Sequence, residues 1–175
     1  DWYLSANLKK NSLDNKLLKG LKPNGVPKNL KSTVFTFEYN DFNFLKKLIK
    51  KHNIKIIKME VIRNIEPKNN FLKKIRKLAD QKNIILIFDE CTTGFRETYG
   101  GIHKKYGVIP DLAVFGKALG NGYAITAVIG KKDIMQKSEN TFISSTFWTE
   151  RIGPTAAIAT LNEMEKIKSW EIVKK

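Results

Sequence analysis

Cysteine is almost absent from this sequence, and that scarcity bears on where the protein works. Cys91 is the single cysteine among 175 residues, so no disulfide can form within the chain. Disulfides are typical of secreted and periplasmic proteins, whereas free thiols persist in reducing compartments. We therefore expect a cytoplasmic protein.

Long apolar runs are missing as well. No stretch approaches the roughly 18 apolar residues that a membrane-spanning helix needs, and the start of the chain does not resemble a secretory signal. The sequence therefore predicts no membrane segment. The chain begins at Asp1 rather than at methionine and stops within a helical pattern, so we expect a segment of a longer protein.

Arginine is scarce, although the chain is strongly basic. The formal net charge is +15, yet only four of the 32 basic residues are arginine. Domains that bind nucleic acid gather their positive charge on one face or carry a recognition motif. These lysines are instead scattered through helices and loops, which indicates a solvated surface and argues against nucleic-acid binding.

The sequence does contain short apolar strands that alternate with amphipathic helices. After an irregular region at 1–31, residues 34–39 alternate like a strand, and Asn40 or Asp41 can cap a helix that carries Phe44 and Leu48. Strands at 54–62 and 84–89 flank a helix that starts near Pro67. A strand, a helix and a strand in about 35 residues predict a parallel βαβ pair.

Later segments extend the same pattern. Strands are expected at 111–116 and 124–130, an extended stretch at 141–148, and a closing helix at 151–168 with Ala157, Ile158 and Leu161 on its apolar side. The pattern contains no internal repeat or second domain boundary. We therefore predict one α/β domain with a mainly parallel sheet flanked by helices.

Two of the strands end in ionisable side chains. The run IILIF at 84–88 leads into Asp89, and the run DLAVFG at 111–116 leads into Lys117. In open α/β sheets the carboxyl ends of the strands face the ligand crevice, so we expect both side chains to share it. A lysine can form a Schiff base with an aldehyde, and a carboxylate can pair with a pyridinium nitrogen. This combination suits an enzyme that uses pyridoxal phosphate.

Each of these residues also has a plainer explanation. Lys117 by itself fits a lysine that reaches solvent from a strand end, and Asp89 by itself fits equally well a carboxylate that caps a turn. A nucleotide hydrolase also uses an apolar strand that ends in Asp-Glu. Its phosphate loop, GxxxxGK[ST], is not matched, because Asp111 replaces the first glycine and Ala118 replaces the hydroxyl residue.

Three blocks carry a family resemblance: IFDECTTGFRETYGG at 87–101, GVIPDLAVFGKALGNG at 107–122 and AVIG at 127–130. They closely resemble class III (fold type I) pyridoxal phosphate-dependent aminotransferases, especially the glutamate-1-semialdehyde aminomutase-like branch. The resemblance implies that residues 1–175 are the central part of the large cofactor-binding domain. It also implies that an N-terminal segment and a C-terminal small domain are missing, so we expect the fragment alone to be inactive.

The resemblance also implies roles for individual residues. Lys117 matches the lysine that forms the internal aldimine with pyridoxal 5′-phosphate and then moves protons. Asp89 matches the partner of the pyridine nitrogen, and Cys91 replaces the valine that usually packs on the ring. Glu60 and Glu90 match carboxylates near the site that contact substrate or support the residues that do.

Thr146 matches a threonine that contacts the cofactor phosphate of the neighbouring subunit, which implies a homodimer with shared active sites. No metal is implied.

The expected reaction is the transfer of an amino group from an amine or amino acid donor to a carbonyl acceptor. An aminomutase, which moves the amino group within one molecule, remains open as an alternative. Decarboxylases and racemases share the same lysine and aspartate. Outside enzymes, an inactive homologue that serves as a binding or assembly subunit remains open, although Lys117 is retained.

Overall fold

The computed structural model describes residues 3–9, 12–14 and 19–173. The chain divides into two compact units, residues 1–53 and residues 54–175. Among the described residues, no helix is long and apolar enough to cross a membrane. Every described β-strand belongs to the second unit, which therefore carries the sheet and the candidate site.

The first unit is built from short helices and turns. It contains 3-10 helices at Tyr3–Leu8 and Lys28–Leu30 and the α-helix α1 at Phe42–Lys51. The Asp41 carboxylate caps α1 by accepting a hydrogen bond from Phe44 N at 2.9 Å, as the sequence predicts. Within the described part of 1–31, the irregular character predicted from sequence agrees with these short helices and turns.

The strand predicted at residues 34–39 is wrong. Residues 34–38 have no regular secondary structure, and residues 34–37 are all half-buried rather than alternately buried and exposed. A strand needs a partner for its backbone N–H and C=O groups. The described residues of the first unit contain no second strand that could supply one.

Four strands form the sheet of the second unit, and they are neighbours in chain order. They are β1 (Ile56–Glu60), β2 (Ile85–Asp89), β3 (Leu112–Phe115) and β4 (Ala127–Gly130). The pairs β1–β2 and β2–β3 are parallel, and β3–β4 is antiparallel. The predicted α/β class with a mainly parallel sheet is therefore confirmed, and the predicted strands are one to four residues too long.

One face of the sheet is covered by helix α2 (Phe71–Lys82), which contacts β2. The buried positions of β2 are Leu86 and Phe88, both without exposed surface. The helix buries side chains at helical spacing, namely Phe71, Leu72, Ile75 and Ala79. The alternation in β2 and the 3.6-residue period in α2 explain why the sequence predicted this helix and this strand correctly.

The remaining helices lie between and after the strands. They are α3 (His103–Tyr106), α4 (Lys132–Met135), α5 (Ile152–Ile167) and α6 (Ser169–Val173), with 3-10 helices at Lys117–Leu119 and Gln136–Asn140. The closing helix predicted at 151–168 is confirmed as α5, with Arg151 and Lys168 as its flanking residues. Its predicted apolar side is only partly correct, because Ala157 is buried whereas Ile158 is 59% exposed.

The extended stretch predicted at residues 141–148 is not a strand. Residues 142–145 lack regular structure, and residues 146–149 form a turn. Phe142, Phe147 and Trp148 are each more than half exposed. The apolar character that suggested a strand therefore does not come from packing against the described sheet.

Candidate functional site

The carboxyl ends of β2 and β3 lie side by side. Asp89 is the last residue of β2 and pairs with Val114 of β3, and Lys117 follows the end of β3 by two residues. Glu60 ends β1 directly opposite Asp89. The parallel register therefore places the two residues singled out from the sequence at the same edge of the sheet.

Lys117 adopts an unusual backbone conformation. It has a φ of 43°, in the left-handed region, and it begins the 3-10 helix Lys117–Leu119. Its side chain is exposed, and Nζ donates a hydrogen bond to Thr92 Oγ1 at 2.8 Å. A primary amine in this position is accessible for reaction with a carbonyl compound.

Gly116 allows the loop after β2 to approach the end of β3. A Cβ atom at this position would lie 2.9 Å from Cys91 Sγ, closer than real Cβ atoms are found. The glycine therefore provides room for Cys91, which is half-buried. The segment after Asp89 and the segment that carries Lys117 are thereby packed together.

Asp89 has a half-buried carboxylate with both oxygens occupied. Oδ2 lies 2.9 Å from Lys58 Nζ, and Oδ1 accepts a hydrogen bond from Cys91 N at 3.2 Å. The side chain keeps 26% of its surface exposed. The carboxylate is thus held in place by β1 and by its own loop, and it remains accessible from solvent.

Glu90 points away from solvent and serves the interior. Its side chain has no exposed surface, and its oxygens accept hydrogen bonds from Thr93 Oγ1 and Ile102 N, both at 2.8 Å, and from His103 N at 3.0 Å. The His103 ring nitrogen Nδ1 lies 2.6 Å from Oε1. A carboxylate enclosed in this way cannot reach a substrate, so its contribution is to fix the loop behind Asp89.

Burial and hydrogen bonding act in opposite directions on Glu90. Burial by itself raises the pKa of this carboxyl, but the His103 side chain and the backbone and hydroxyl donors around it stabilise the charged form. The net effect lowers the pKa of Glu90 below its ordinary value. Glu90 is therefore an anion at neutral pH.

The other predicted site residues lie at varying distance from this edge. Glu60 is half-buried and forms an ion pair with Arg63 at 3.3 Å. Thr146 is exposed in the turn at 146–149, and no described contact joins it to Asp89 or Lys117. Within the described residues, the fold brings together Asp89, Cys91 and Lys117, with Glu60 opposite Asp89.

Sequence reasoning missed three residues of the site. Lys58 pairs with Asp89, Thr92 holds Lys117, and His103 pairs with Glu90. Lys58 carries a detectable signal, because it lies two residues before Glu60 on the same strand and therefore on the same face. Thr92 and His103 carry none, since their contacts depend on the path of the loop after Asp89.

The donor set at this edge suits an aromatic aldehyde cofactor such as pyridoxal 5′-phosphate. Asp89 supplies an accessible carboxylate, and Lys117 supplies an accessible primary amine just beyond the end of the neighbouring strand. A cavity of about 370 Å³ is lined by residues 97–99, by Lys104 and Lys105, and by Trp170, and it includes neither Asp89 nor Lys117. In the described part of the chain, no cluster of three or more His, Cys, Asp or Glu side chains could hold a metal ion.

Comparison with known proteins places the chain in a family. The aminotransferase class-III family model matches residues 64–175. The chain is 39% identical to the 3-aminobutyryl-CoA aminotransferase of Cloacimonas acidaminovorans, with 85% of the chain and 38% of the relative covered. It is 36% identical to the glutamate-1-semialdehyde 2,1-aminomutase of Ignicoccus hospitalis, with 85% and 37% covered.

Solved structures give the same result. The FumI protein of Sphingopyxis sp. MTA144, determined in its PLP internal aldimine form, matches with a TM-score of 0.75 and 26% identity over 81% of this chain and 36% of that one. The ornithine aminotransferase of Plasmodium yoelii matches with a TM-score of 0.70 and 27% identity over 77% and 38%.

These matches define an α/β protein of the aminotransferase type. The chain belongs to the aminotransferase class-III family. It spans less than two fifths of the length of the curated relatives described above.

Proposed function

We propose that the whole protein is a pyridoxal phosphate-dependent aminotransferase and that residues 1–175 are the central part of its large domain. It would move an amino group from an amine or amino acid donor to a carbonyl acceptor. The observation that carries the proposal is the placement of Asp89 and Lys117 on adjacent strand ends in a class-III chain. The proposed domain assignment agrees with the partial coverage of the relatives.

Pyridoxal 5′-phosphate would supply an aldehyde for covalent attachment and a ring that accepts electrons from the substrate. Lys117 would provide the attaching amine and, once released, carry a proton to and from the substrate carbon. Asp89 would pair with the ring nitrogen and favour its protonated form. Cys91 would pack as a small apolar side chain against the ring.

Support from further residues completes the proposed site. Glu90 would hold the loop that presents Cys91 and Thr92, and Glu60 would lie close to the substrate side of Asp89. Thr146 would contact the cofactor phosphate of a second subunit in a homodimer. The exposed Phe142, Phe147 and Trp148 around it support such an interface, because large apolar patches are commonly covered by a partner.

A reducing location is part of the same proposal. Cys91 is a free, half-buried thiol, which fits the cytoplasm.

An aminomutase is the second candidate. It is favoured by the 36% identity with the aminomutase of Ignicoccus hospitalis, whereas the 39% identity with the aminobutyryl-CoA enzyme favours transfer between two molecules. Incubation of the complete protein with an amino donor, with and without a carbonyl acceptor, separates the two. Repeated turnover without an acceptor identifies the aminomutase, because a transferase stops after one equivalent of product, when its cofactor has taken up the amino group.

The proposed function is tested on the complete polypeptide that carries this chain. We expect bound pyridoxal 5′-phosphate to add an absorbance band that the protein alone lacks and to become fixed to Lys117 by borohydride, as located by peptide mass spectrometry. Lys117→Ala should abolish the fixation, and Lys132→Ala, at an exposed lysine of α4, should leave it unchanged. Fixation that persists in Lys117→Ala would overturn the proposal, as would a protein that holds no cofactor.

The isolated chain 1–175 offers a separate test. We expect it to retain no cofactor after gel filtration, because Asp89 and Lys117 lie at an open edge of the sheet. Retention of the cofactor, or transamination by the isolated chain, would contradict this expectation and would show that residues 1–175 suffice.

A further inference from the structure

Lys58 forms an ion pair with Asp89, the carboxylate that is expected to pair with the ring nitrogen of the cofactor. Its Nζ lies 2.9 Å from Asp89 Oδ2, while the other oxygen of Asp89 accepts a hydrogen bond from Cys91 N at 3.2 Å. Cys91 contributes a backbone donor, which satisfies the anion without adding charge. Lys58 places a full positive charge beside Oδ2, the oxygen of Asp89 that Cys91 does not contact.

The strand register explains how Lys58 reaches this position. On β1, Ile57 and Met59 are buried, so Lys58 and Glu60 point to the opposite face. Glu60 pairs with Asp89, and Lys58 pairs with Ile87 one repeat earlier on the same face. Asp89 lies two residues beyond Ile87 on the same face of β2, and the long side chain of Lys58 spans this offset to bring its ammonium to the strand end.

We infer that Lys58 is a positioning residue that tunes the cofactor site by competing for Asp89. This inference rests on the proposed function, in which Asp89 pairs with a protonated ring nitrogen. One carboxylate cannot fully neutralise two cations, and a neighbouring positive charge disfavours protonation of a second base. Lys58 therefore weakens cofactor binding and reduces the protonated share of the ring.

The competition has a limited size because both side chains reach solvent. The side chain of Lys58 is 59% exposed and that of Asp89 is 26% exposed. Pairs of this kind contribute up to about 1 kcal/mol, which corresponds to roughly a fivefold change in affinity. Lys58 can also turn towards solvent when the site is filled, so it modulates binding rather than preventing it.

The test compares four variants of the complete protein, three at Lys58 and Lys55 and one at Asp89, with wild type after removal of the cofactor. Titration with pyridoxal 5′-phosphate at low ionic strength measures the affinity of the protein for the cofactor. A pH titration of the absorbance of the bound cofactor measures how the charge at position 58 affects cofactor protonation. We expect Lys58→Met to bind about two- to fivefold more tightly and to shift the absorbance midpoint to higher pH. Lys58→Arg should restore wild-type behaviour, and Lys55→Met, at an exposed lysine just before β1, should leave both readouts unchanged.

The outcomes separate this inference from the proposed function. If Asp89→Asn weakens cofactor binding while Lys58→Met matches wild type or binds more weakly, the competition is overturned and the function stands. An equal shift in Lys55→Met would overturn it too, because the effect would be one of general surface charge. If wild type binds no cofactor, the proposed function fails and this inference fails with it.

Discussion

Lys117 Nζ donates a hydrogen bond to Thr92 Oγ1 at 2.8 Å, across 25 residues of sequence. Thr92 lies three residues after Asp89, so this bond joins the loop that follows β2 to the second residue after β3. The contact gives the flexible, exposed lysine a defined direction at the edge of the sheet. The Thr92 hydroxyl thus links the two strand ends. Valine has the same shape as threonine but lacks this hydroxyl.

Removal of that hydroxyl should leave Lys117 less well oriented. We expect Thr92→Val in the complete protein to slow attachment of pyridoxal 5′-phosphate by about two- to tenfold, since a hydrogen bond of this kind contributes about 0.5–1.5 kcal/mol. Stopped-flow absorbance measures the rate. Thr92→Ser keeps the acceptor and should match wild type. Equal rates in the valine and serine variants would contradict the role of Thr92.

Glu90→Gln should destabilise the fold rather than only the site. The carboxylate has no exposed surface and accepts hydrogen bonds from Thr93, Ile102 and His103, so an amide would leave a buried donor badly placed. We expect a loss of about 2–4 kcal/mol in the free energy of unfolding. Urea denaturation measures it. Glu97→Gln, in an exposed ion pair with Lys105, is the matched control and should change little.

The stabilisation by Glu90 should also depend on pH. The pKa of Glu90 is lower in the folded protein than its ordinary value of 4.5. Between these two pKa values the folded state therefore binds fewer protons than the unfolded state does. The stabilisation by Glu90 is therefore complete above about pH 4.5, and it is lost as the pH falls through the pKa of Glu90 in the folded protein. The difference in stability between wild type and Glu90→Gln should shrink in acid. A difference that stays constant from neutral to acidic pH would contradict this.

Arg76 contacts two aspartates that should differ in importance. Asp111 is 4% exposed and also accepts hydrogen bonds from Leu86 N and Lys131, whereas the Asp80 side chain is 59% exposed. We expect Asp111→Asn to cost about 2–4 kcal/mol of unfolding free energy, because a buried charge network is broken, and Asp80→Asn to cost less than about 1 kcal/mol. Similar losses in the two variants would show that burial does not set the difference.

Gly94 and Gly153 provide a paired test of packing. A Cβ atom at Gly94 would lie 2.5 Å from Phe115 Cδ1 and 2.8 Å from Glu90 O, whereas one at Gly153 would lie 3.4 Å or more from its neighbours. We expect Gly94→Ala to destabilise by about 1–3 kcal/mol and Gly153→Ala, within α5, to be neutral or stabilising. Thermal unfolding of both variants measures the contrast, and equal melting temperatures would contradict it.

Periodicity predicted most of the second unit because local pattern and final packing agree there. The strand at 84–89 and the helix that buries Phe71 and Ile75 follow the alternation and helical spacing expected for one covered face. The same reasoning failed at 34–39 and 141–148, where apolar residues do not pair with another strand. A short apolar run indicates burial or an interface, and only a hydrogen-bonding partner makes it a strand.

The sequence by itself determined the order of the four strands of the second unit and of helix α2, and it placed Asp89 and Lys117 at strand ends. It could do so because parallel strands joined by a helix bring their carboxyl ends to one edge. Only the tertiary structure decided which side chains contact those two residues: Lys58 on Asp89, Thr92 on Lys117 and His103 on Glu90. These partners are 13 or more residues apart along the chain, or lie on different strands, so register and loop path set their contacts rather than local spacing.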